Sequence, residues 1–177
     1  MHWRTLFGQA NYAEMKWLTP LIALLFTLPL RAAPEYPDKG PDIYDPKANG
    51  MEKIALALKQ AQAEGKHVLL DFGANWCPWC RKLEHTFETA PEVRERLERN
   101  FVVVMIDVNM RHGEKRNADV NEKYGNPIHQ GLPVLVVLGA DGKLLITRET
   151  GALEEGDHHD PKKVAAFLDR WKPAPKN

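Results

Sequence analysis

The chain contains only two cysteines, Cys77 and Cys80, separated by a Pro-Trp dipeptide. They follow a short apolar run, residues 67–72 (HVLLDF), and open a segment, residues 77–88, that can be helical. This order predicts a strand, a turn and a helix, with Cys77 at the junction where the helix begins. A proline directly after Cys77 suits that position, because the first helical N–H groups have no intrahelical partner to lose. The pair therefore constrains the local fold and its chemistry together.

The predicted junction indicates a division of roles between the two thiols. Unpaired N–H groups and the helix dipole place partial positive charge at a helix N-terminus, so a thiolate is stabilised there. We therefore expect a lowered pKa at Cys77, which would act as the nucleophile. Cys80 lies one turn further along, should be less exposed, and would act as the resolving thiol. The predicted chemistry is thiol–disulfide exchange, which needs no cofactor.

Other uses of a cysteine pair fit the surrounding residues less well. Arg81 follows Cys80, whereas haem attachment requires a histidine at that place. A zinc site needs two further ligands, and no second paired motif exists. We interpret His158-His159, in an acidic loop, as a solvated turn and predict no metal site, with metal binding as the alternative. A purely structural disulfide would close a very small loop, and two thiolates that hold Cu(I) are the rival from another functional class.

Hydrophobic periodicity predicts an α/β domain in which helices cover both sides of a mixed sheet. The run at residues 101–107 (FVVVMID) is apolar on both faces and predicts a buried parallel strand. Asp141-Gly142 is a strong hairpin signal between the last two strands. The remaining predicted elements are a helix from Met51 stopped by Gly65, helices over residues 91–99 and 117–124, strands over residues 134–138 and 143–148, and a final helix capped by Asp160 with Pro161 in its first position.

The N-terminal residues have the order of a secretory signal peptide. Residues 18–30 are apolar, uncharged and interrupted by two prolines, so they are too short and broken for a membrane span. Lys16 precedes this run and the small residues Ala32-Ala33 follow it. We predict that residues 1–32 are a signal peptide, with Met15 as the possible true start, and that the protein is periplasmic or otherwise exported. An uncleaved membrane anchor is the alternative, and export would place the cysteines in an oxidising compartment.

The rest of the chain has the composition of one small domain with short flanking segments. Residues 33–49 hold four prolines and several turn formers, which predicts an arm without a core of its own. Residues 50–172 are predicted to form the domain, and residues 173–177 a tail. Acidic and basic residues number 24 each, so no global charge favours nucleic acid or an anionic membrane surface.

The motifs together resemble the thioredoxin superfamily over residues 67–171, in particular its exported members with a WCxWC-type active site. The residues that carry the resemblance are Asp71-Phe72, Trp76-Cys77-Pro78-Trp79-Cys80, Gly131-Leu132-Pro133, Asp141-Gly142 and Gly151. The resemblance implies a thioredoxin-like three-layer α/β/α sandwich, whose mixed sheet ends in an antiparallel hairpin.

The resemblance also implies roles for single residues. Pro133 would be cis and would face the disulfide, with a trans proline at a strand start as the alternative. Asp71 would be a buried acid that exchanges protons with Cys80, whereas the alternative is a solvent-facing strand end. Trp76 would cover the cysteine pair, with a purely structural packing role as the alternative. The residues expected to contact the substrate are Trp76, Pro78, Trp79, Leu132 and Pro133.

Three departures from thioredoxins limit what the resemblance implies. The dipeptide between the cysteines is Pro-Trp where cytosolic thioredoxins carry Gly-Pro, so the redox potential does not carry over. Val103 stands where thioredoxins place a lysine near the buried acid, and residues 109–130 form a longer segment. We expect an exported oxidoreductase that acts on protein disulfides. A reductase is favoured over an oxidase or isomerase, because the chain lacks the large inserted helical domain of the periplasmic oxidases. A dithiol protein would supply its electrons.

Overall fold

The computed structural model describes residues 40–175. The predicted signal peptide, the first residues of the predicted arm and the last two residues of the tail lie outside the described residues. Within residues 40–175, no helix has the length and apolar character needed to cross a membrane.

Five helices and six strands are formed by the described residues. The helices are α1 (Gly50–Glu64), α2 (Pro78–Thr89), α3 (Pro91–Asn100), α4 (Ala118–Lys123) and α5 (Pro161–Trp171). The strands are β1 (His67–Gly73), β2 (Phe101–Asp107), β3 (Val134–Leu138), β4 (Leu144–Glu149), β5 (Glu154–Glu155) and β6 (His158–His159). Short 3-10 helices lie at Arg111–Gly113, Pro127–Gln130 and Gly151–Leu153.

The main sheet has four strands in the order β2-β1-β3-β4. Strands β1 and β2 are parallel, whereas β3 runs antiparallel to both β1 and β4. The predicted mixed sheet with a terminal antiparallel hairpin is therefore confirmed. Strands β5 and β6 form a separate two-stranded sheet, which the sequence does not predict because two residues per strand are too few to show alternation.

Capping residues set the bounds of the first and last helices. The side chain of Asn49 accepts the N–H of Glu52 at the start of α1, and Gly65 ends that helix in a left-handed conformation with φ 70°. The predicted cap of α5 is confirmed, since Asp160 accepts two backbone N–H groups and Pro161 fills the first helical position.

Helices cover both faces of the sheet, so the predicted three-layer α/β/α sandwich is confirmed. Side chains alternate along β1, and Val68, Leu70 and Phe72 join a core with residues of α1 and α4. Leu69 joins the opposite core, with residues of α2, α3 and α5. Asp71 follows Leu69 on that second face, which is the face that carries the cysteine helix α2.

Strand β2 differs from the fully buried strand that its sequence predicts. It lies at the edge of the sheet, and among residues 40–175 it pairs only with β1. Val103 is 37% exposed and Met105 is partly exposed, because an edge strand is covered less completely than a central one. Strand β4 also begins one residue later than predicted, since the Lys143 carbonyl accepts the Gly139 N–H and so belongs to the hairpin turn.

Candidate active site

Cys77 lies where β1 ends and α2 begins, as the N-cap residue of that helix. Its backbone is extended, with φ −87° and ψ 111°, and its sulfur accepts the backbone N–H of Cys80 at 3.1 Å. Pro78 occupies the first turn of the helix. The junction predicted from the sequence is thus present, and the helix directs an otherwise unpaired N–H group at the Cys77 sulfur.

Cys77 and Cys80 form a disulfide, with their Cα atoms 5.3 Å apart. The Cys77 residue is 4% exposed, whereas Cys80 is fully buried. This difference has the predicted sign, since Cys77 keeps a small exposed surface and Cys80 keeps none. Both cysteines pack with the buried Tyr44 and with the partly buried residues Ile43, Trp79, Met105 and Leu132.

Asp71 is completely buried in β1. Its Oδ1 accepts a hydrogen bond from the Tyr44 hydroxyl at 3.1 Å, and no group among the described residues donates to its Oδ2. Burial raises the pKa of Asp71 from 3.8 to about 7; the Tyr44 hydrogen bond opposes this rise, and the charge of Glu84 adds to it. Near neutral pH the carboxyl can therefore both accept and return a proton.

Glu84 is a second carboxyl near the pair, and sequence reasoning missed it. It is half-buried on α2, four residues after Cys80, so both residues lie on one side of the helix. Burial raises its pKa above the ordinary value, and a hydrogen bond with Glu88 acts in the same direction. Its negative charge also raises the pKa of Asp71. The spacing from Cys80 was the sequence signal that could have identified it.

Tyr44, in the predicted arm, was also missed. Its side chain is completely buried beside the disulfide, although the surrounding segment is rich in proline and polar residues. Burial raises its pKa well above 10, and the neighbouring Asp71 adds to this effect, so the hydroxyl keeps its proton and acts as a donor. The Ile43-Tyr44 dipeptide, apolar within a polar stretch, was the only local signal.

The segment before β3 lies beside the cysteines. The Leu132–Pro133 peptide bond is cis, and Leu132 packs against the cluster of Tyr44, Cys77 and Cys80. The carbonyl of Pro133 accepts a hydrogen bond from the buried Thr150 hydroxyl at 2.8 Å. This part of the chain is thus held next to the disulfide.

Trp76 is 38% exposed beside Cys77. Its Nε1 donates to Asn109 Oδ1 at 2.8 Å, and the Arg111 guanidinium lies 3.5 Å from the ring centroid. The start of the long 109–130 segment therefore orients this ring. Pro78 is also exposed, so two apolar side chains flank the disulfide at the surface.

Trp79 contacts the two-stranded sheet formed by β5 and β6. Its ring meets the edge of the His159 ring, with centroids 5.5 Å apart, and the Lys82 ammonium lies 4.6 Å from the Trp79 centroid. His159 is completely buried, which lowers its pKa from 6.5 to about 4. The interpretation of His158-His159 as a solvated turn is therefore wrong for His159, because β6 pairs with β5 and packs on α2. Within residues 40–175, no group of three or more His, Cys, Asp or Glu side chains could hold a metal ion.

Val103, at the position of the family lysine, does not lie opposite Asp71 in the sheet. Val103 pairs with Leu69 in the sheet register, whereas Met105 is the residue opposite Asp71. Lys53 of α1 donates to the Met105 carbonyl at 3.1 Å. In the part of the chain that the structure describes, the direct partner of Asp71 is a tyrosine hydroxyl and not a cation.

Comparison with known proteins agrees with this arrangement. The profile of the thioredoxin-like domain family matches residues 54–159, a range that includes the disulfide, Asp71 and Pro133. The thiol:disulfide interchange protein DsbD of Pseudomonas fluorescens is 32% identical over 116 residues, which cover 65% of this chain and 17% of that protein. Human nucleoredoxin is 26% identical over 137 residues, covering 67% of this chain and 29% of that protein. The chain thus spans less than a third of the length of either curated relative.

A solved structure matches over most of both chains. The disulphide isomerase from Xylella fastidiosa Temecula1 superposes with a TM-score of 0.64 and 31% sequence identity, covering 72% of this chain and 95% of that one. With the family profile matched over more than half of the sequence and the fold shared with this structure, the chain belongs to the thioredoxin-like domain family.

Proposed function

We propose that the protein is an exported thiol–disulfide oxidoreductase that exchanges its Cys77–Cys80 pair with protein disulfides and acts as a reductase. The observation that carries this proposal is the Cys77 sulfur at the N-terminus of α2, where it accepts the Cys80 N–H at 3.1 Å. A thiolate at this position is stabilised by the N–H donor and by the helix dipole. The names of two similar proteins, a thiol:disulfide interchange protein and a disulphide isomerase, agree with exchange chemistry.

The proposed reaction has two exchange steps. The Cys77 thiolate attacks a client disulfide, one client sulfur leaves as a thiolate, and a mixed disulfide forms. Cys80 then gives its proton to Asp71 and attacks the Cys77 sulfur, which restores the Cys77–Cys80 bond and releases the second client thiolate. Two electrons pass to the client, and a dithiol protein would return the pair to its reduced form.

The reductase direction is supported by the charges near the pair. A strongly oxidising pair requires a stabilised reduced form, that is, a well-stabilised thiolate. Here the buried Asp71 carboxyl lies beside the Tyr44 ring that packs against the pair, and Glu84 lies close enough to act on Asp71. When ionised, such carboxyl groups raise the free energy of a further negative charge. Equilibration of the pair with glutathione measures the direction, since a potential well above that of glutathione would favour the oxidase or isomerase alternative.

The proposed client surface consists of the apolar groups around Cys77. Trp76 and Pro78 are exposed beside it, and a bend with the cis Leu132–Pro133 bond precedes β3, with Leu132 packed against the pair. Exposed backbone before a strand can pair with an extended client segment, while neighbouring apolar groups contact its side chains. The proposed contact residues are Trp76, Pro78, Trp79, Leu132 and Pro133.

Turnover of a protein disulfide tests the proposed activity. With a dithiol donor in excess, the wild-type protein is expected to accelerate the reduction of insulin, and Cys77→Ser is expected to reduce the rate to that of the donor alone. The physical reason is that Cys77 is the N-cap residue of α2 and the less buried of the two cysteines. Tight Cu(I) binding by the reduced wild-type protein without any turnover would instead support the copper-handling alternative.

Export is tested by the N-terminus of the protein purified from cells. Cleavage after Ala32 is expected, so the mature chain should lack residues 1–32, begin at Ala33 and lie outside the cytoplasm. Ala32→Asp is the matched control, because a charged residue in place of the small one should block cleavage and leave the leader attached. An intact wild-type N-terminus, or a cytoplasmic protein, would contradict the proposed signal peptide.

A further inference from the structure

Residues 40–44, which precede α1, are hydrogen-bonded to the residues that flank the cysteine pair. The side chain of Asn75 accepts the backbone N–H groups of Ile43 and Tyr44, each at 2.9 Å, and donates to the Tyr44 carbonyl at 2.8 Å. Asn75 stands two residues before Cys77. Three hydrogen bonds from one side chain thus fix the backbone of Tyr44 relative to the start of α2.

Arg81 makes a second attachment on the other side of the pair. It follows Cys80 directly, is nearly buried, and donates to the carbonyls of Pro41 at 2.9 Å and Gly40 at 3.4 Å. Its Nε donates to the Asn75 carbonyl at 3.1 Å. Residues 40–44 of the arm therefore contact the residues on both sides of the cysteine pair.

These attachments place the Tyr44 ring in a narrow space between the strand and the disulfide. Gly73 has no side chain there, and a Cβ atom added to it would overlap the Tyr44 hydroxyl and lie 2.9 Å from Cys80 Sγ. The hydroxyl and the buried sulfur thus lie against the same Cα atom. The hydroxyl also donates to Asp71 Oδ1 at 3.1 Å, which leaves Asp71 Oδ2 without a partner among the described residues.

We propose that Tyr44 is a positioning residue of the redox site, whose hydroxyl holds the Asp71 carboxylate in place to receive the proton of Cys80 during the resolving attack. This inference rests on the proposed exchange function and gives a residue of the arm, Tyr44, a specific role in it. In the balanced step, the Cys80 thiol transfers its proton to Asp71, the Cys80 thiolate forms the bond to Cys77 Sγ, and the bond from Cys77 to the client breaks. The client sulfur leaves with the electron pair of that bond.

The groups around Asp71 explain why this one donor matters. Glu84 on α2 adds negative charge, and Tyr44 is the hydrogen-bond donor from the arm. Lys53 of α1 uses its ammonium on the Met105 carbonyl, and Asp107, at the end of β2, pairs with Arg116 at 2.7 Å. A hydrogen bond from a neutral hydroxyl to a carboxylate favours the ionised form, which is the form that can accept a proton.

Tyr44→Phe tests the inference, because it removes the hydroxyl and keeps the ring that fills the space. In the oxidised full chain, carbon NMR of the Asp71 carboxyl should show its titration midpoint rise by about one pH unit, since a hydrogen bond to a charged group is lost. Tyr124→Phe is the matched control. Tyr124 is also buried, but it packs in the core formed with α1 and α4, so the Asp71 midpoint should not change.

The resolving step is measured with the reduced protein and the aromatic disulfide dithionitrobenzoate. Attack by Cys77 releases one chromophore in a phase that depends on reagent concentration, and attack by Cys80 releases the second in a phase that does not. The pH midpoint of the second phase should rise in Tyr44→Phe by about one unit, which makes it roughly tenfold slower below that midpoint. In an Asp71→Asn background, Tyr44→Phe should cause no further shift of the pH profile.

The outcomes separate this inference from the proposed function. An unchanged Asp71 midpoint in Tyr44→Phe, or an unchanged pH profile of the second phase, would overturn the role of Tyr44 while exchange itself stands. A full effect of Tyr44→Phe in the Asp71→Asn background would also overturn it, because Tyr44 would then not act through Asp71. A wild-type protein without a second phase would contradict the proposed function, and this inference with it.

Discussion

Cys80→Ser is expected to accumulate as covalent mixed disulfides with client proteins in the cell. Cys77 still attacks a client disulfide in this variant, because serine keeps the backbone N–H that donates to the Cys77 sulfur. The serine hydroxyl cannot replace the thiolate in the second exchange, so the client stays bound. Non-reducing gels of material trapped by acid quenching should show a ladder of adducts that a dithiol reagent removes, and mass spectrometry should find each client bonded to Cys77.

The reciprocal variant is the control for the order of attack. Cys77→Ser should trap no clients, since the remaining Cys80 is completely buried and solvent does not reach its sulfur. Wild-type protein should show only traces of adducts, because Cys80 resolves them. Equal trapping by the two single variants would contradict the assignment of Cys77 as the attacking thiol.

The parts of this site that sequence could predict are those set by local structure. A cysteine between an apolar run and a helical segment, followed by proline, predicts the N-cap position of Cys77 without any tertiary information. Successive side chains of a strand point to opposite faces of the sheet, so the sequence also places Asp71 on the same face as Leu69. Each of these inferences uses residues within a few positions of one another.

The role of Tyr44 and the burial of His159 depend on contacts between segments that are distant in sequence. Tyr44 and Asp71 are 27 positions apart, and nothing in a proline-rich stretch indicates which side chain packs into the domain. The burial of His159 likewise depends on α2, through the Thr86 hydroxyl that donates to its carbonyl at 3.3 Å. An acidic loop with glycine has the composition of a solvated turn, and tertiary packing overrides that signal.

Asp71→Asn is expected to stabilise the oxidised protein, increasingly so as the pH rises from 4 to 7. The pKa of Asp71 is about 7 in the folded protein against 3.8 ordinarily, so the folded state keeps a proton that the unfolded state releases in this range. Wild-type stability therefore falls as pH rises through this window and is constant above it, where both states are ionised. Asparagine does not ionise, so it does not contribute to a fall in the stability of the variant as the pH rises. At about 1.4 kcal/mol per pKa unit, the difference in unfolding free energy between variant and wild type should grow by roughly 3–4 kcal/mol.

Urea unfolding at a series of pH values measures this difference, with the disulfide kept oxidised so that the cysteines do not titrate. Asp107→Asn is the matched control, because Asp107 is also buried but pairs with Arg116 at 2.7 Å. Removing a buried charge that has a partner should destabilise the protein at neutral pH, the opposite sign from Asp71→Asn. A constant difference between Asp71→Asn and wild type across pH 4 to 8 would mean that Asp71 is already ionised throughout that range. It could then neither hold nor return the proton of Cys80 near neutral pH, and the proton transfer proposed for the resolving step would have to use another group.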